Sequence, residues 1–134
     1  MKAVVLALLL LPFVAIAQTH PAPKIPAVGR TLAAFVPTRY DTLPGGRATG
    51  DLNHDGRPDV ALVLSPKAES LDDYDDETMP GRVLLILFGT AQGYKLVAQA
   101  NRVMLSKHGG GQYGDPFAGL SIRTRCANGE PLWW

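Results

Sequence analysis

Two short apolar runs constrain the fold of this chain more than any other feature of its sequence. The first is Val60–Leu64, which lies between Pro58 and Pro66, and the second is Val83–Phe88, which ends at Gly89. Each run is too short for a buried helix and is apolar at consecutive positions, a pattern typical of a strand that is covered on both faces. We therefore expect these runs to form central strands of one β-sheet.

The sequence around the second run predicts a β-hairpin. A five-residue connection with glycine at both ends, Gly89–Gly93, leads into the partly alternating segment Tyr94–Ala100. Shorter strands are expected at three further places, namely Tyr40–Leu43 (ended by residues 44–46), Val103–Leu105 and Leu120–Arg125.

The remaining segments predict one short helix and long loops. Arg30–Val36 has the composition of one or two helical turns that end before Pro37, because the residue before a proline is pushed out of the helical region. Residues 66–80 and 109–114 have no apolar periodicity and predict loops. With 14 glycines and 11 prolines, the chain is expected to be mainly β: a small antiparallel sheet or sandwich-like domain with one short N-terminal helix.

The first 17 residues predict a cleaved signal peptide. Lys2 precedes an apolar run that starts at Ala3, and Ala15–Ala17 forms a small-x-small cleavage site before Gln18. The apolar part is shorter than the roughly 20 residues that a helix needs to span a bilayer. The expected organisation is a signal peptide at 1–17, an extended proline-rich leader at 18–29 and a single β-rich domain at 30–134. The expected location is the periplasm or the extracellular space of a bacterium, with no membrane span after cleavage.

Charge and cysteine content exclude several classes of protein. The formal net charge is +1, and loss of Lys2 with the signal peptide would balance acidic and basic residues, so nothing favours a nucleic-acid partner. The single cysteine, Cys126, excludes an intrachain disulfide scaffold and any cysteine-based metal cluster.

One polar loop carries the pattern of a cation site. Oxygen-bearing side chains alternate at Asp51, Asn53 and Asp55, and another follows at Asp59. Calcium prefers about 6–8 oxygen ligands, and a tight loop can direct every second side chain towards one point. The sequence therefore predicts Asp51, Asn53, Asp55 and Asp59 as ligands of a calcium ion.

The loop follows the first nine positions of an EF-hand pattern and then departs from it. Gly56 at the sixth position permits a sharp turn, and Arg57 at the seventh offers its backbone carbonyl as a further ligand. The twelfth position is Leu62 rather than a bidentate glutamate, and an apolar strand follows the loop instead of a helix. The expected affinity is therefore weak, with a dissociation constant on the order of 10⁻⁴ to 10⁻³ M.

Two questions about this loop stay open at the level of sequence. The same residues could form a metal-free turn in which Asp and Asn side chains bond their own backbone. The ligand shell needs completing by water or by a distant acid, for which the acidic segment Glu69–Glu77 and Asp115 are candidates. Otherwise Glu69–Glu77 is a solvated loop and Asp115 belongs to a turn before Pro116.

Residues 50–61 resemble the calcium-loop signature of FG-GAP/VCBS-type repeats, which occur in integrin-like propeller blades and many secreted bacterial proteins. The longer order of segments also resembles a group of small exported bacterial proteins of unassigned role, with matches at Phe35–Pro37, Leu84–Gly89 and Gly114–Phe117. The resemblance implies metal ligation by Asp51, Asn53, Asp55 and Asp59, and no catalysis. Residues 125–134 fall outside it, so the domain is expected to be incomplete or altered at its C-terminal end. No repeat of blade length is visible, which excludes a full propeller.

These observations predict an exported, non-catalytic protein whose calcium ion has a structural role. One alternative is a secreted interaction or adhesion module with a cell-surface or secreted protein partner, which needs an exposed apolar patch or an open sheet edge. Another is a metal-dependent hydrolase that uses the loop metal or a Cys126–His108 pair, which needs acids and a base converging in a pocket.

Overall fold

The computed structural model describes residues 21–71, 73, 75, 79–101 and 103–123. Within these residues five strands form one antiparallel sheet in the order β1-β5-β4-β3-β2. The strands are β1 (Val28–Gly29), β2 (Tyr40–Gly50), β3 (Asp59–Pro66), β4 (Val83–Thr90) and β5 (Gly93–Asn101). Short 3₁₀ helices lie at Leu32–Phe35, Lys67–Ser70 and Lys107–Tyr113. The prediction of a mainly β, antiparallel fold is confirmed.

The two apolar runs form the centre of the sheet, as predicted. β3 is buried at every position except the half-buried Ser65, and β4 alternates between buried and half-buried residues. Their antiparallel register places buried side chains opposite one another on one face of the sheet. The cross-strand pairs on that face are Val60 with Leu87, Leu62 with Leu85, and Leu64 with Val83.

The segment before β2 covers this face of the sheet. Phe35, in the first 3₁₀ helix, is fully buried, and Ile25, Leu32 and Val36 pack against the same core. The predicted helix is present but shorter than Arg30–Val36 and of the 3₁₀ type. Val36 has extended backbone angles, as expected for a residue that precedes a proline.

The predicted hairpin is present and has a tighter turn than the sequence indicated. Thr90 pairs with Gly93, so β4 and β5 extend into the predicted five-residue connection and leave only two residues in the turn. Gly93 has a φ of +138°, and a Cβ at this position would overlap the carbonyl oxygen of Gly29 on β1. Glycine is therefore needed here for both backbone conformation and strand packing.

Gly93→Ala is expected to destabilise the fold by about 1–3 kcal/mol, the cost of holding a non-glycine residue in a sparsely populated region of backbone angles, and the clash with Gly29 adds to it. Urea denaturation measures this change. Gly45→Ala is the matched control, since Gly45 has a φ of +71° but its added Cβ would have no neighbour closer than 3.8 Å. Equal losses in the two variants would contradict the role of the clash.

The first long strand differs from its prediction. β2 does not end at residues 44–46 but continues to Gly50, with a shift in register between Thr42 and Arg47. Pro44 is tolerated because β2 is an edge strand of this sheet, where one side of the backbone needs no ladder partner. On the open side the carbonyl of Gly45 accepts a hydrogen bond from Leu120 N at 3.0 Å.

The C-terminal third forms less regular structure than the alternation indicated. The predicted strand at Val103–Leu105 is wrong, and residues 120–123 are not in a strand; the rest of the predicted strand Leu120–Arg125 lies outside the described residues. The glycine-rich segment, predicted to be a loop, instead forms the 3₁₀ helix Lys107–Tyr113, which is interrupted at Gly111 by a φ of 58°. The predicted strands are not formed here because this segment is bonded to the rest of the protein through side chains, namely those of Glu69 and Arg82, and not through strand pairing.

The predicted signal peptide at 1–17 lies outside the described residues, as does the start of the leader. Residues 21–27 of the leader lie outside the helices and strands, and its end forms β1, which pairs with Tyr94 and Lys95 of β5. In the described part of the chain, every helix is too short or too polar to cross a bilayer.

Candidate metal-binding loop and a buried ion-pair cluster

The candidate metal-binding loop, residues 51–58, connects β2 to β3. Gly50 pairs with Asp59 at the base of the loop, and residues 52–58 are exposed. The loop therefore projects from one end of the sheet, where its polar side chains reach solvent without disturbing the core.

Asp51 closes the loop from its first position. Its Oδ1 accepts a hydrogen bond from Asp55 N at 3.1 Å, and its Oδ2 accepts one from Gly56 N at 2.9 Å. These bonds fold residues 51–56 into a compact turn in which the Asp51 carboxylate lies against the backbone of the fifth and sixth positions.

Two side-chain turns follow inside this loop. Asn53 Oδ1 accepts from Asp55 N at 3.0 Å, and Asp55 Oδ1 accepts from Arg57 N at 2.8 Å. The residues between them, His54 and Gly56, have φ values of 60° and 80°. Asn and Asp commonly bond the backbone two residues ahead in this way, so the alternating polar pattern has a local structural cause as well as a chemical one.

Asp59 anchors the loop and is itself fully buried. Its Oδ2 accepts hydrogen bonds from Leu52 N at 2.7 Å and Asn53 N at 3.3 Å. Its Oδ1 accepts one from Gly89 N, on β4, at 2.8 Å. One carboxylate therefore ties the start of the loop to the end of a neighbouring strand.

Gly89 makes this tie possible by allowing a close approach of the backbone. A Cβ at position 89 would overlap the carbonyl oxygen of Pro58. Its absence lets β4 come near enough to the loop for Gly89 N to reach the Asp59 carboxylate. Asp59 and Gly89 are 30 positions apart in sequence.

The chemistry of the remaining donors fits a hard cation. Asp51 and Asp55 offer carboxylate oxygens and Asn53 an amide oxygen, all in one exposed turn, and each oxygen has two lone pairs of which the bonds above use one. Exposure leaves room for the waters that would complete a calcium shell. Within the described residues, however, no three His, Cys, Asp or Glu side chains converge as a metal-binding group. The side-chain oxygens available in the turn are thus those of two acids and one amide, while Asp59 accepts from backbone N–H groups.

A second cluster, which we call the Arg82 cluster, lies at the other end of the sheet. Arg82 immediately precedes β4 and is 1% exposed. Its Nε donates to Glu69 Oε1 at 2.9 Å, and Nη1 and Nη2 donate to the two oxygens of Asp115 at 2.9 and 2.5 Å. Such forked pairing is the strongest arrangement of an arginine with a carboxylate, and the ring of Phe117 lies 5.9 Å from the guanidinium carbon.

Glu69 is the second centre of the Arg82 cluster and is 4% exposed. Besides Arg82, its carboxylate accepts hydrogen bonds from Ser65 Oγ and, at 2.7 Å, from Lys107 N. His108 Nε2 lies 3.3 Å from its backbone oxygen. The buried charge is therefore compensated by several partners, as a buried carboxylate requires.

The pairing shifts the acid–base properties of two members of the Arg82 cluster. The hydrogen bond from Arg82 lowers the pKa of the Asp115 carboxyl below its ordinary value of 3.8, although partial burial opposes the shift. Burial acts to lower the pKa of Arg82, but the bonds and charges of Asp115 and Glu69 outweigh it and raise that pKa. Because the pKa of Asp115 is depressed in the folded state, its contribution to stability is present above the unfolded pKa and is lost as the pH falls through the folded one.

The Arg82 cluster lines a cavity of about 460 Å³. Residues 41–44 of β2 line it as well, together with Ser65, Lys67 and Lys107. An exposed ion pair between Lys67 and Asp41, at 3.6 Å, lies at its edge.

Sequence reasoning missed the Arg82 cluster. The prediction of a solvated acidic loop is wrong for Glu69, which is buried. Asp115 accepts a hydrogen bond from Phe117 N, two residues ahead, as in the predicted turn, but both its oxygens also bind Arg82. Apart from the buried Glu69, the described acids of that loop, Asp73 and Asp75, are exposed. Cys126 lies outside the described residues, so the proposed Cys126–His108 pair stays untested. Comparison with protein-family models, with curated proteins and with solved structures gives no match for this chain.

Proposed function

We propose that this chain is a small exported protein in which the loop 51–58 binds calcium for a structural purpose rather than for catalysis. The observation that carries the proposal is the single exposed turn that gathers the side-chain oxygens of Asp51, Asn53 and Asp55. The ligand set is completed by the Arg57 carbonyl and water. Asp59, the remaining predicted ligand, acts chiefly as the anchor that positions the others.

The bound ion would stabilise the connection between β2 and β3. Asp51 and Asp55 carry like charges in the same turn, and Arg57 is their nearest compensating group, with its Nη1 3.9 Å from Asp55. An exposed ion pair at this separation contributes little, so a divalent cation relieves most of the repulsion. At ten times its dissociation constant, calcium would add about 1.4 kcal/mol to the free energy of unfolding.

Export is supported by the sequence of residues 1–17, with its basic start, apolar run and small-residue cleavage site. Millimolar calcium is available outside the cytoplasm, and a weak extracellular-type loop operates in that range. Location and affinity are therefore consistent with each other in this proposal.

Asp55→Ala is expected to abolish the response of the protein to millimolar calcium, since it removes one of two carboxylates in the shell. Thermal melting with 5–10 mM calcium, roughly five- to tenfold above the upper estimate of the dissociation constant, and with chelator measures the effect. The wild type should gain stability with calcium and the variant should not. Asp73→Ala is the matched control, because Asp73 is an exposed acid outside the loop.

Two outcomes would contradict the proposal. The first is an identical calcium response in wild type and Asp55→Ala. The second is an equal stabilisation by sodium chloride at the same ionic strength, which would assign the effect to screening of the Asp51–Asp55 repulsion instead of to ligation.

A further inference from the structure

The segment 103–123, which we call the strap, is attached to the sheet mainly through polar contacts. Lys107 N donates to Glu69 at 2.7 Å, and Asp115 receives the fork of Arg82. Beyond the Arg82 cluster, the strap contacts the sheet through the bond from Leu120 to Gly45 and the packing of Ile122 against Gly50.

None of the strap's large apolar side chains is fully buried. Val103, Leu105 and Tyr113 are 56%, 62% and 88% exposed, and the others are half-buried, namely Met104, Phe117, Leu120 and Ile122. The backbone also bends at positions that only glycine adopts easily, with φ values of 58° at Gly111 and 79° at Gly114. A segment with little buried apolar surface has a low free energy of local opening compared with the core.

The strap also lines the cavity at the Arg82 cluster. Its Lys107 and Asp115 contribute to the lining together with residues of β2 and the start of the second 3₁₀ helix. Arg82 is 1% exposed while the strap is in place, and two of its nitrogens are held by Asp115. Movement of the strap would therefore open the cavity and expose the guanidinium together.

We propose that the strap is a gate that opens independently of the sheet, with the Arg82–Asp115 ion pair as its latch. In the closed state both terminal nitrogens of Arg82 donate hydrogen bonds to the carboxylate of Asp115. In the open state the sheet and its core remain folded, because Val60–Leu64 and Val83–Phe88 make no use of the strap for their pairing.

The charges around the latch are largely balanced. Asp115 lies near two basic groups, Arg82 just before β4 and Lys107 in the strap. Glu69, in the second 3₁₀ helix, accepts a hydrogen bond from the same guanidinium. Lys67 and Asp41 pair with each other at the cavity edge. Removing the Asp115 charge thus leaves Arg82 with Glu69 as its remaining described acidic partner, which weakens the latch without creating a new like-charge contact.

Modification of Arg82 by an arginine-specific reagent such as phenylglyoxal tests the gate, with the site of modification read by mass spectrometry. Asp115→Asn should raise the rate at Arg82 by about tenfold or more, the loss expected on removing a charge-assisted hydrogen bond. The exposed Arg39 provides an internal reference in the same sample. Asp41→Asn is the matched control, since Asp41 lines the same cavity but pairs with Lys67, at 3.6 Å, instead of with Arg82, and it should leave Arg82 unreactive.

Amide hydrogen exchange separates gating from general unfolding. In Asp115→Asn the amide of Lys107, which is bonded to Glu69, and that of Gly109, which is bonded to Ser106 within the strap, should lose protection while those of β3 keep theirs. Unchanged modification of Arg82 in Asp115→Asn would overturn the proposal. So would equal loss of protection in the strap and in β3, because the strap would then open only when the sheet unfolds.

Discussion

Arg82→Met is expected to lower the free energy of unfolding by about 3–5 kcal/mol, the usual cost of removing one partner of a buried ion pair. Methionine fills much of the arginine volume but leaves Glu69, which is 4% exposed, without its charged partner. Ser65 and Lys107 N still bond Glu69, so its desolvation is only partly offset. Asp115, which is more exposed, suffers less from the loss.

Urea denaturation of three variants would test this explanation. Arg82→Lys keeps the positive charge but loses the fork, so it should fall between wild type and Arg82→Met. Arg47→Met removes an exposed arginine from β2 and should change stability by less than about 0.5 kcal/mol. An Arg82→Met protein within 1 kcal/mol of the wild type would mean that Glu69 becomes neutral or solvated at little cost.

The central sheet could be predicted because its signal is local. Val60–Leu64 and Val83–Phe88 are continuous apolar runs with proline or glycine at their ends, and that pattern alone indicates covered strands. The β4–β5 hairpin followed from a short glycine-containing connection. β2 was harder, since Pro44 and two glycines interrupt it, and only the position of the strand at the sheet edge explains why it continues.

The Arg82 cluster could not be predicted because its members are far apart in sequence. Arg82 is 13 positions from Glu69 and 33 from Asp115, and each residue type is ordinarily found at the surface. The acidic composition of residues 69–77 also favoured a solvated loop, which concealed the one buried acid within it.

The sequence predicts the polar pattern of the loop but not the different structural roles of its residues. The sequence pattern predicts Asp59 as a ligand together with Asp51 and Asp55. The structure distinguishes them, because Asp59 begins β3 and is fully buried while Asp51 is half-buried and Asp55 is exposed. The distinguishing partner, Gly89, lies on another strand and carries no mark in the sequence of the loop.

Asp59→Ala is expected to destabilise the protein by about 3 kcal/mol or more, even when no calcium is present. The change removes the acceptor for three backbone N–H groups, those of Leu52, Asn53 and Gly89. A donor left buried without an acceptor costs about 1–3 kcal/mol, and Gly89 N is in the buried interior. Thermal melting in chelator, with hydrogen exchange at these three amides, measures the loss.

Asp55→Ala is the comparison that separates anchoring from ligation, because Asp55 belongs to the same motif but lies in the exposed turn. In chelator it should be close to the wild type, and its defect should emerge only when calcium is added. Asp59→Ala should be destabilised under both conditions, with faster exchange at Gly89 N on the neighbouring strand. If Asp59→Ala instead matched the wild type in chelator and lost only the calcium response, Asp59 would be a ligand like Asp55, and the coupling of the loop to β4 would contribute little to stability.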